Sequence, residues 1–246
     1  MKIWAHRGCS YRFPENTLSS FREALEYEIT GIELDIQLSK DGEIVVIHDE
    51  TVDRTTDHTG YVKDYTLAEL QAMKIRGDEN EHVPTIREVL ELIREDCFSR
   101  GILLNIELKN SEVCYEGMEQ MILDLVKEYD MEPYIIYSSF NPESVAQLKK
   151  MRPDLHVGAL AEYESRCLEI CEASGADALH PFIKRIDIPD LRARSDRPVR
   201  AWNVWQFEPF YPDGGDIEIQ DLPALEAAGV TDIFTNAPEL YVSRHA

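Results

Sequence analysis

The sequence predicts an α/β fold of the (β/α)8 TIM-barrel class, with a hairpin arm after the second strand and a small insertion on the catalytic face. The chain has 246 residues, close to the roughly 250 residues typical of such a barrel. Short apolar runs alternate with amphipathic helical segments, as in a parallel sheet with crossover helices. Nine strands are predicted, and setting aside one antiparallel arm leaves eight. We therefore expect one domain over residues 1–246.

The predicted strands are short apolar runs bounded by turn residues. In chain order they are Ile3–His6, Gly31–Gln37, Ile44–His48, Ile102–Leu108, Tyr134–Ser138, His156–Leu160, Ala176–His180, Val199–Val204 and Asp232–Thr235. Helix start signals fall between most of them. Thr66 and Thr85, each with a glutamate three residues later, fit the capping box. Asn141 precedes a proline as a cap, and Asn16 is the predicted cap of a helix running to Tyr27.

The second and third predicted strands form the hairpin arm. Only six residues separate Gly31–Gln37 from Ile44–His48, whereas a parallel crossover needs a dozen or more. An antiparallel pair with a short Asp-Gly turn satisfies this spacing. If Ser39–Gly42 is the turn, counting back along the arm places Glu33 opposite His48.

Two long loops interrupt the alternating pattern. Thr51–Pro84 is polar and irregular, with one helical stretch at Leu67–Met73, and is predicted to be a small insertion above the barrel. Gln206–Gln220 follows the seventh barrel strand, so it is expected at the face where barrel active sites lie. A doubly wound open sheet is the alternative fold, but no GxGxxG motif follows the first strand.

Composition limits the function classes. Lys plus Arg is 25 and Asp plus Glu is 47, giving a net charge of −22 with 43% hydrophobic residues. A globular core is therefore expected, whereas nucleic acid and anionic membrane surfaces are poor partners. Five cysteines without CxxC spacing indicate reduced thiols in a cytoplasmic protein, with Cys167 and Cys171 as buried small hydrophobes. The sequence begins with no signal-peptide pattern and contains no transmembrane pattern.

Ionisable and amide side chains collect at the carboxyl ends of the early predicted strands. They are His6 and Arg7 after the first strand, Glu33 and Asp35 on the second, His48 at the end of the arm, and Asn105, Glu107 and Lys109 on the next barrel strand. Because the intervening residues are apolar, those on the barrel strands are predicted to face the barrel interior, where charges need partners or a metal.

These residue types point to phosphodiester hydrolysis. Three carboxylates suit Mg²⁺ or Ca²⁺, which prefer oxygen ligands. An arginine and a lysine beside such an ion indicate an anionic substrate, phosphate in particular. Two histidines suit general acid and base roles, because imidazole titrates near neutrality.

The chain resembles the glycerophosphodiester phosphodiesterase family along nearly its whole length. The matching stretches are His6-Arg7-Gly8, Pro14-Glu15-Asn16-Thr17, Glu33-Leu34-Asp35, Ser39-Lys40-Asp41-Gly42, Ile47-His48-Asp49, Pro84-Thr85, Asn105-Ile106-Glu107-Leu108-Lys109, Ser139-Phe140 and Ala201-Trp202. The resemblance implies a (β/α) barrel with an insertion after the His-Asp motif. It also implies metal-dependent hydrolysis of a small-molecule glycerophosphodiester to glycerol 3-phosphate and an alcohol.

The resemblance further implies roles for eight residues. The divalent-cation ligands are Glu33, Asp35 and Glu107; the acid/base pair is His6 and His48; the substrate contacts are Arg7, Lys109 and Trp202. The sequence departs from the family pattern at Trp202-Asn203-Val204-Trp205 and at Thr235-Asn236-Ala237-Pro238, which leaves the alcohol specificity open.

Several alternatives stay open at this stage. A phospholipase D-like activity on lysophospholipids would need an apolar groove, for which Phe207, Phe210 and Tyr211 are candidates. A catalytically silent barrel that binds a metabolite or a partner protein is a second alternative. His180, at the predicted site face, either lines the pocket or is a structural histidine. The choice of Mg²⁺ or Ca²⁺, the roles of the two histidines, the attacking group and the oligomeric state are not determined.

Overall fold

A computed structural model of the protein describes residues 1–186, 195–203 and 219–245. The strands are β1 (Lys2–His6), β2 (Gly31–Leu38), β3 (Ile44–Val46), β4 (Leu103–Leu108), β5 (Ile135–Ser139), β6 (His156–Ala161), β7 (Ala178–Pro181), β8 (Arg200–Trp202) and β9 (Asp232–Thr235). The helices are α1 (Leu18–Leu25), α2 (Leu67–Ala72), α3 (Ile86–Arg100), α4 (Met118–Glu128), α5 (Pro142–Met151), α6 (Glu164–Ser174) and α7 (Leu222–Ala228). All nine predicted strands are present.

Eight of these strands form a nearly closed parallel barrel. They pair in the order β7-β6-β5-β4-β2-β1-β9-β8. Parallel bridges from Leu179 to Val199 and from Phe182 to Trp202 bring β7 beside β8 and nearly complete the ring. The described helices follow strands in alternation, which confirms the predicted (β/α)8 class.

The helices cover the barrel with apolar faces. In α3, Ile86, Val89, Leu90, Ile93 and Cys97 are buried, at the three- and four-residue spacing of one helix face. Cys167 and Cys171, one turn apart on α6, are also fully buried, as predicted for small hydrophobes. Within the described ranges, no helix combines the length and apolar character needed to cross a bilayer.

The hairpin arm is confirmed, but its predicted register is wrong by one residue. β3 pairs antiparallel with β2, and Leu38 stands opposite Ile44 instead of Glu43. The turn includes Glu43 because its carbonyl accepts from the Ser39 backbone N–H at 2.9 Å and its own N–H donates to the Ser39 hydroxyl at 2.9 Å. Gly42 supplies the left-handed residue of this turn, with φ of 85°.

The insertion over residues 51–84 has a small apolar core of its own, built against the arm. Its helix α2 is the predicted Leu67–Met73 stretch, shorter by one residue. The apolar cluster consists of Val45, Ile47, Val52, Val62, Leu70, Met73, Ile75 and Val83. The insertion is therefore a packed element at the end of the arm. The Gln206–Gln220 loop falls almost entirely outside the described residues.

Three predicted helix caps are confirmed and one is wrong. Thr66, Thr85 and Asn141 cap α2, α3 and α5. Thr17, not Asn16, caps α1. Asn16 has a φ of 56°, outside the extended backbone that an N-cap usually adopts, and its side chain bonds elsewhere.

Candidate active site

A cavity of about 590 Å³ opens at the carboxyl ends of the barrel strands. The predicted site residues that line it are His6, Arg7, Glu33, His48, Glu107, Lys109 and Trp202. Asp35, the eighth, has no exposed surface and lies close to the lining residues Glu33 and Glu107. All eight residues are thus brought together, because parallel strands end at one face of a barrel.

Three buried carboxylates form a compact cluster. Glu33 and Asp35 point to the same side of β2 because they are two residues apart, and Asp35 stands beside Glu107 in the β2–β4 register. One oxygen from each residue lies within 4.8 Å of the others. This oxygen-only donor set is the kind that Mg²⁺ and Ca²⁺ bind.

The hydrogen bonding of Asp35 leaves one oxygen available. Its Oδ2 accepts from Asn16 Nδ2 at 2.9 Å and lies 3.2 Å from Arg7 Nε, whereas the buried Oδ1 has no hydrogen-bond partner. Burial opposes ionisation of Asp35, but His48 and Arg7 outweigh it and hold the pKa below its ordinary value. A charged carboxylate with an unsatisfied buried oxygen fits a cation ligand.

The other two carboxylates resist ionisation. Burial, and then the charges of the neighbouring carboxylates, raise the pKa of Glu33 well above its ordinary value. Burial also raises the pKa of Glu107 to about 7, against the opposing attraction of Lys109, whose Nζ lies 3.2 Å from Glu107 Oε1. A divalent cation among the three would remove this repulsion, so the residues present fit such an ion.

His6 is the last residue of β1, and each of its ring nitrogens has a polar side chain nearby. Its Nδ1 lies 2.6 Å from Asn236 Oδ1, and its Nε2 lies 3.7 Å from Glu33 Oε2. Burial, and then the charge of Arg7, lower its pKa to about 3, so the imidazole is neutral at neutral pH. Asn236 received no site role from the sequence, where it stands out only as a departure from the family pattern.

His48 reaches the site from beyond the end of β3. The predicted cross-strand pairing with Glu33 is wrong, because the β2–β3 ladder ends at Val46. Instead, Lys109 Nζ lies 3.2 Å from His48 Nε2, and His48 Nδ1 lies 2.6 Å from Asp49 Oδ1. Burial, and then Arg7, lower the pKa of His48.

The main chain around His48 is fixed by one buried amide. The two N–H groups of Gln37 Nε2 are shared among the carbonyl oxygens of Ile47, His48 and Asp49, at 3.1, 3.2 and 2.6 Å. Its Oε1 accepts from the Tyr115 hydroxyl at 3.0 Å. Gln37 therefore positions the main chain beyond the end of the β2–β3 ladder, a role that no sequence pattern indicates.

Arg7 is held in a backbone conformation that few side chains adopt, with φ of 56°. The next residue, Gly8, has φ of 84°, and a Cβ there would meet Ser20 Oγ at 2.4 Å. The Arg7 N–H donates to the Glu33 carbonyl at 2.9 Å. Strain of this kind is typical of functional loops, and here it turns the guanidinium toward Asp35.

Aromatic residues form another part of the cavity wall, where the Phe140 ring centroid lies 5.9 Å from Lys109 Nζ. Trp202 contacts Phe140 and Phe182, with ring centroids 5.9 and 4.7 Å apart. Its indole N–H donates to the carbonyl of His180 at 3.0 Å. His180 is fully buried, lines the cavity and lies with its ring centroid 5.4 Å from that of Phe234, which favours the pocket position among the two alternatives left open for it.

Comparison with known proteins agrees with this geometry. Residues 6–240 match the glycerophosphoryl diester phosphodiesterase family. A glycerophosphodiester phosphodiesterase of Caldanaerobacter subterraneus is 40% identical over 98% of this chain and 96% of its own length.

Two solved structures share the fold. One is an Oleispira antarctica phosphodiesterase in complex with the product sn-glycerol-3-phosphate, with a TM-score of 0.80 and 27% identity over 98% of this chain and 94% of that one. The other is a glycerophosphodiester phosphodiesterase from Agrobacterium tumefaciens, with a TM-score of 0.76 and 25% identity over 98% of both chains. The chain belongs to the glycerophosphodiester phosphodiesterase family of phosphoric diester hydrolases.

Proposed function

We propose that the protein hydrolyses glycerophosphodiesters to glycerol 3-phosphate and an alcohol, with a divalent cation as cofactor. The observation that supports this most directly is the presence of three carboxylates, two histidines and two cationic side chains in one cavity of about 590 Å³. The product-bound Oleispira relative, with the same fold, supports the substrate class.

Glu33, Asp35 and Glu107 would hold the cation. When bound, it would supply positive charge to the phosphate oxygens and offset the charge that develops in the transition state. Mg²⁺ and Ca²⁺ are the candidates because every donor is a carboxylate oxygen.

Arg7 and Lys109 would bind the phosphate, since both carry charge at the cavity surface. The two histidines would move protons at Nε2, because Nδ1 of each is held by a neighbour outside the carboxylate cluster, Asn236 for His6 and Asp49 for His48. His48 Nε2 lies 3.2 Å from Nζ of Lys109, the proposed phosphate contact. One would accept the proton of the attacking oxygen and the other would protonate the departing alkoxide. Overall, a water oxygen forms the new bond to phosphorus and the bond to the alcohol oxygen breaks.

The test is release of glycerol 3-phosphate from glycerophosphocholine, measured with EDTA and then with Mg²⁺ or Ca²⁺ restored. We expect release that requires the cation and is abolished in Glu33→Gln. The matched control is Glu28→Gln, which removes one exposed carboxylate. Failure to hydrolyse this and other glycerophosphodiesters with cation present would contradict the proposal. Hydrolysis of a lysophospholipid alone would then favour the phospholipase D-like alternative, and hydrolysis of none of these diesters would favour a binding protein.

A further inference from the structure

Arg54 lies in the insertion, and its guanidinium makes a bidentate contact with each of two carboxylates, those of Asp49 and Glu15. Its Nε and Nη2 donate to Asp49 Oδ2 and Oδ1 at 2.8 and 2.9 Å. Its Nη1 and Nη2 donate to Glu15 Oε2 and Oε1 at 2.6 and 2.7 Å. The Arg54 side chain is 14% exposed, so these contacts are mostly shielded from water. Arginine is the residue suited to two planar carboxylate contacts of this kind.

Each carboxylate in turn holds a residue of the active site. Asp49 Oδ1, which accepts from Arg54, also lies 2.6 Å from His48 Nδ1. Glu15 Oε1, which accepts from Arg54, also accepts from Arg7 Nη1 at 2.9 Å. The result is a continuous path from Arg7 through Glu15, Arg54 and Asp49 to His48. It joins the proposed phosphate contact to one of the proposed proton-transfer groups.

The segment that carries Arg54 is itself anchored. Val52 and Thr56, two residues to either side, are fully buried. The Thr56 N–H and hydroxyl both donate to the Val52 carbonyl, at 3.0 and 2.8 Å, and Val52 belongs to the apolar core of the insertion. Arg54 therefore extends from a rigid turn, as a positioning group must.

The charges of the path explain why Arg54 is needed. Glu15 and Asp49 each contact two polar side chains of other residues, and Arg54 is one of the two in both cases. Among the described residues, loss of its guanidinium would leave Glu15 with Arg7, and Asp49 with His48, as the remaining side-chain partner. Asp49 would then be free to rotate away from His48 Nδ1. The imidazole would lose the acceptor that holds its proton on Nδ1, although Lys109 Nζ would still lie 3.2 Å from Nε2.

We propose that Arg54 is a positioning residue for catalysis: it fixes the tautomer and orientation of His48 through Asp49, and the guanidinium of Arg7 through Glu15. In this proposal the insertion supplies the Arg54 guanidinium, which keeps His48 and Arg7 in fixed positions relative to each other. The proposal rests on the proposed function, because it assigns Arg54 a part in the same reaction. It concerns no substrate contact by Arg54 itself.

The test compares Arg54→Gln and Arg54→Lys with Arg76→Gln, which replaces an exposed arginine of the same insertion. Hydrolysis kinetics are combined with ¹⁵N NMR of the histidine side chains, in which the His48 signals are assigned by their loss in His48→Gln. We expect wild-type His48 to carry its proton on Nδ1 and Arg54→Gln to show a mixture of tautomers. We also expect kcat to fall and KM to rise, together lowering kcat/KM by about 10- to 100-fold.

Arg54→Lys keeps the charge but not the double fork, so its kcat/KM should lie between those of wild type and Arg54→Gln. Arg76→Gln should match wild type. An unchanged His48 tautomer in both Arg54 variants would overturn the proposal, whatever their activity, as would kcat/KM within about twofold of Arg76→Gln. If Arg54→Gln does not fold, Arg54→Lys provides the same measurements. If wild type hydrolyses no diester, the proposed function fails, while the NMR result still decides whether Arg54 positions His48.

Discussion

Replacing Glu33 with glutamine is expected to stabilise the cation-free protein while abolishing activity. The glutamine keeps the shape of the side chain, and its oxygen can still accept the Arg7 backbone N–H that Glu33 Oε2 accepts at 3.1 Å. Only the charge is lost. Asp35 has Arg7 as a cationic neighbour and Glu107 has Lys109, each at 3.2 Å.

Glu33 has no comparable partner among the described residues. The imidazole of His6 lies 3.7 Å away, but its pKa of about 3 leaves it neutral above pH 6. Two unit charges 4.8 Å apart repel by about 3 kcal/mol at an effective dielectric constant of about 20. After partial compensation by Arg7 and Lys109, we expect a net gain of about 2 kcal/mol, or about 4 to 8 °C in melting temperature for a chain of this size.

The dependence on pH follows from the raised pKa of Glu33. A carboxyl whose pKa is raised by folding stabilises the fold while protonated, and that contribution is lost as the pH rises through the folded-state pKa. Because Glu33→Gln differs from wild type only at this carboxyl, the difference in stability between the two proteins reports its ionisation. The stability gap between Glu33→Gln and wild type should therefore widen as the pH rises above 4.5, the ordinary pKa of a glutamate, toward the raised pKa of the folded protein.

The assay is thermal unfolding followed by circular dichroism, with EDTA and with excess Mg²⁺ or Ca²⁺, using Glu28→Gln as the control for net charge. Without cation, Glu33→Gln should melt above wild type and Glu28→Gln should not. With cation, wild type should gain stability and the order should reverse, because the variant has lost a ligand. A Glu33→Gln variant that melts at or below wild type in EDTA would refute the charge-repulsion argument.

Three further predictions concern other parts of the site. Gly158→Ala would place a Cβ 2.2 Å from His180 Nε2 and should lower the free energy of unfolding by about 1 to 3 kcal/mol. Adding His180→Ala should recover part of the lost stability, whereas an unchanged melting temperature in Gly158→Ala would contradict the close contact. Trp202→Ala removes aromatic surface from the cavity wall and should raise KM about tenfold in steady-state kinetics with kcat little changed, whereas a fall in kcat alone would count against a substrate contact. Asn16→Ala removes the 2.9 Å donor to Asp35 and should raise the half-saturating cation concentration about tenfold; unaltered cation dependence would show that Asn16 has no such role.

Most of the secondary structure could be predicted from local sequence patterns. All nine strands and the caps at Thr66, Thr85 and Asn141 were predictable, because each depends on residues a few positions apart. The clustering of Glu33 with Glu107 was predictable too, since parallel strands end at the same barrel face whatever their exact register. The hairpin register was not, because the hydrogen bonds of one serine moved the turn by a residue.

The sequence by itself determined the barrel, its arm, its insertion and the eight residues that meet at one end. Only the tertiary structure decided how those residues are oriented. The amide of Asn236 bonds His6 across 230 positions of sequence, and Arg54 bonds Glu15 across 39. Such contacts follow no periodicity, because they depend on how loops from different strands pack over the barrel. Asn16 is a further example: the local pattern predicts a helix cap there, whereas in the folded chain its side chain donates to Asp35 in the carboxylate cluster.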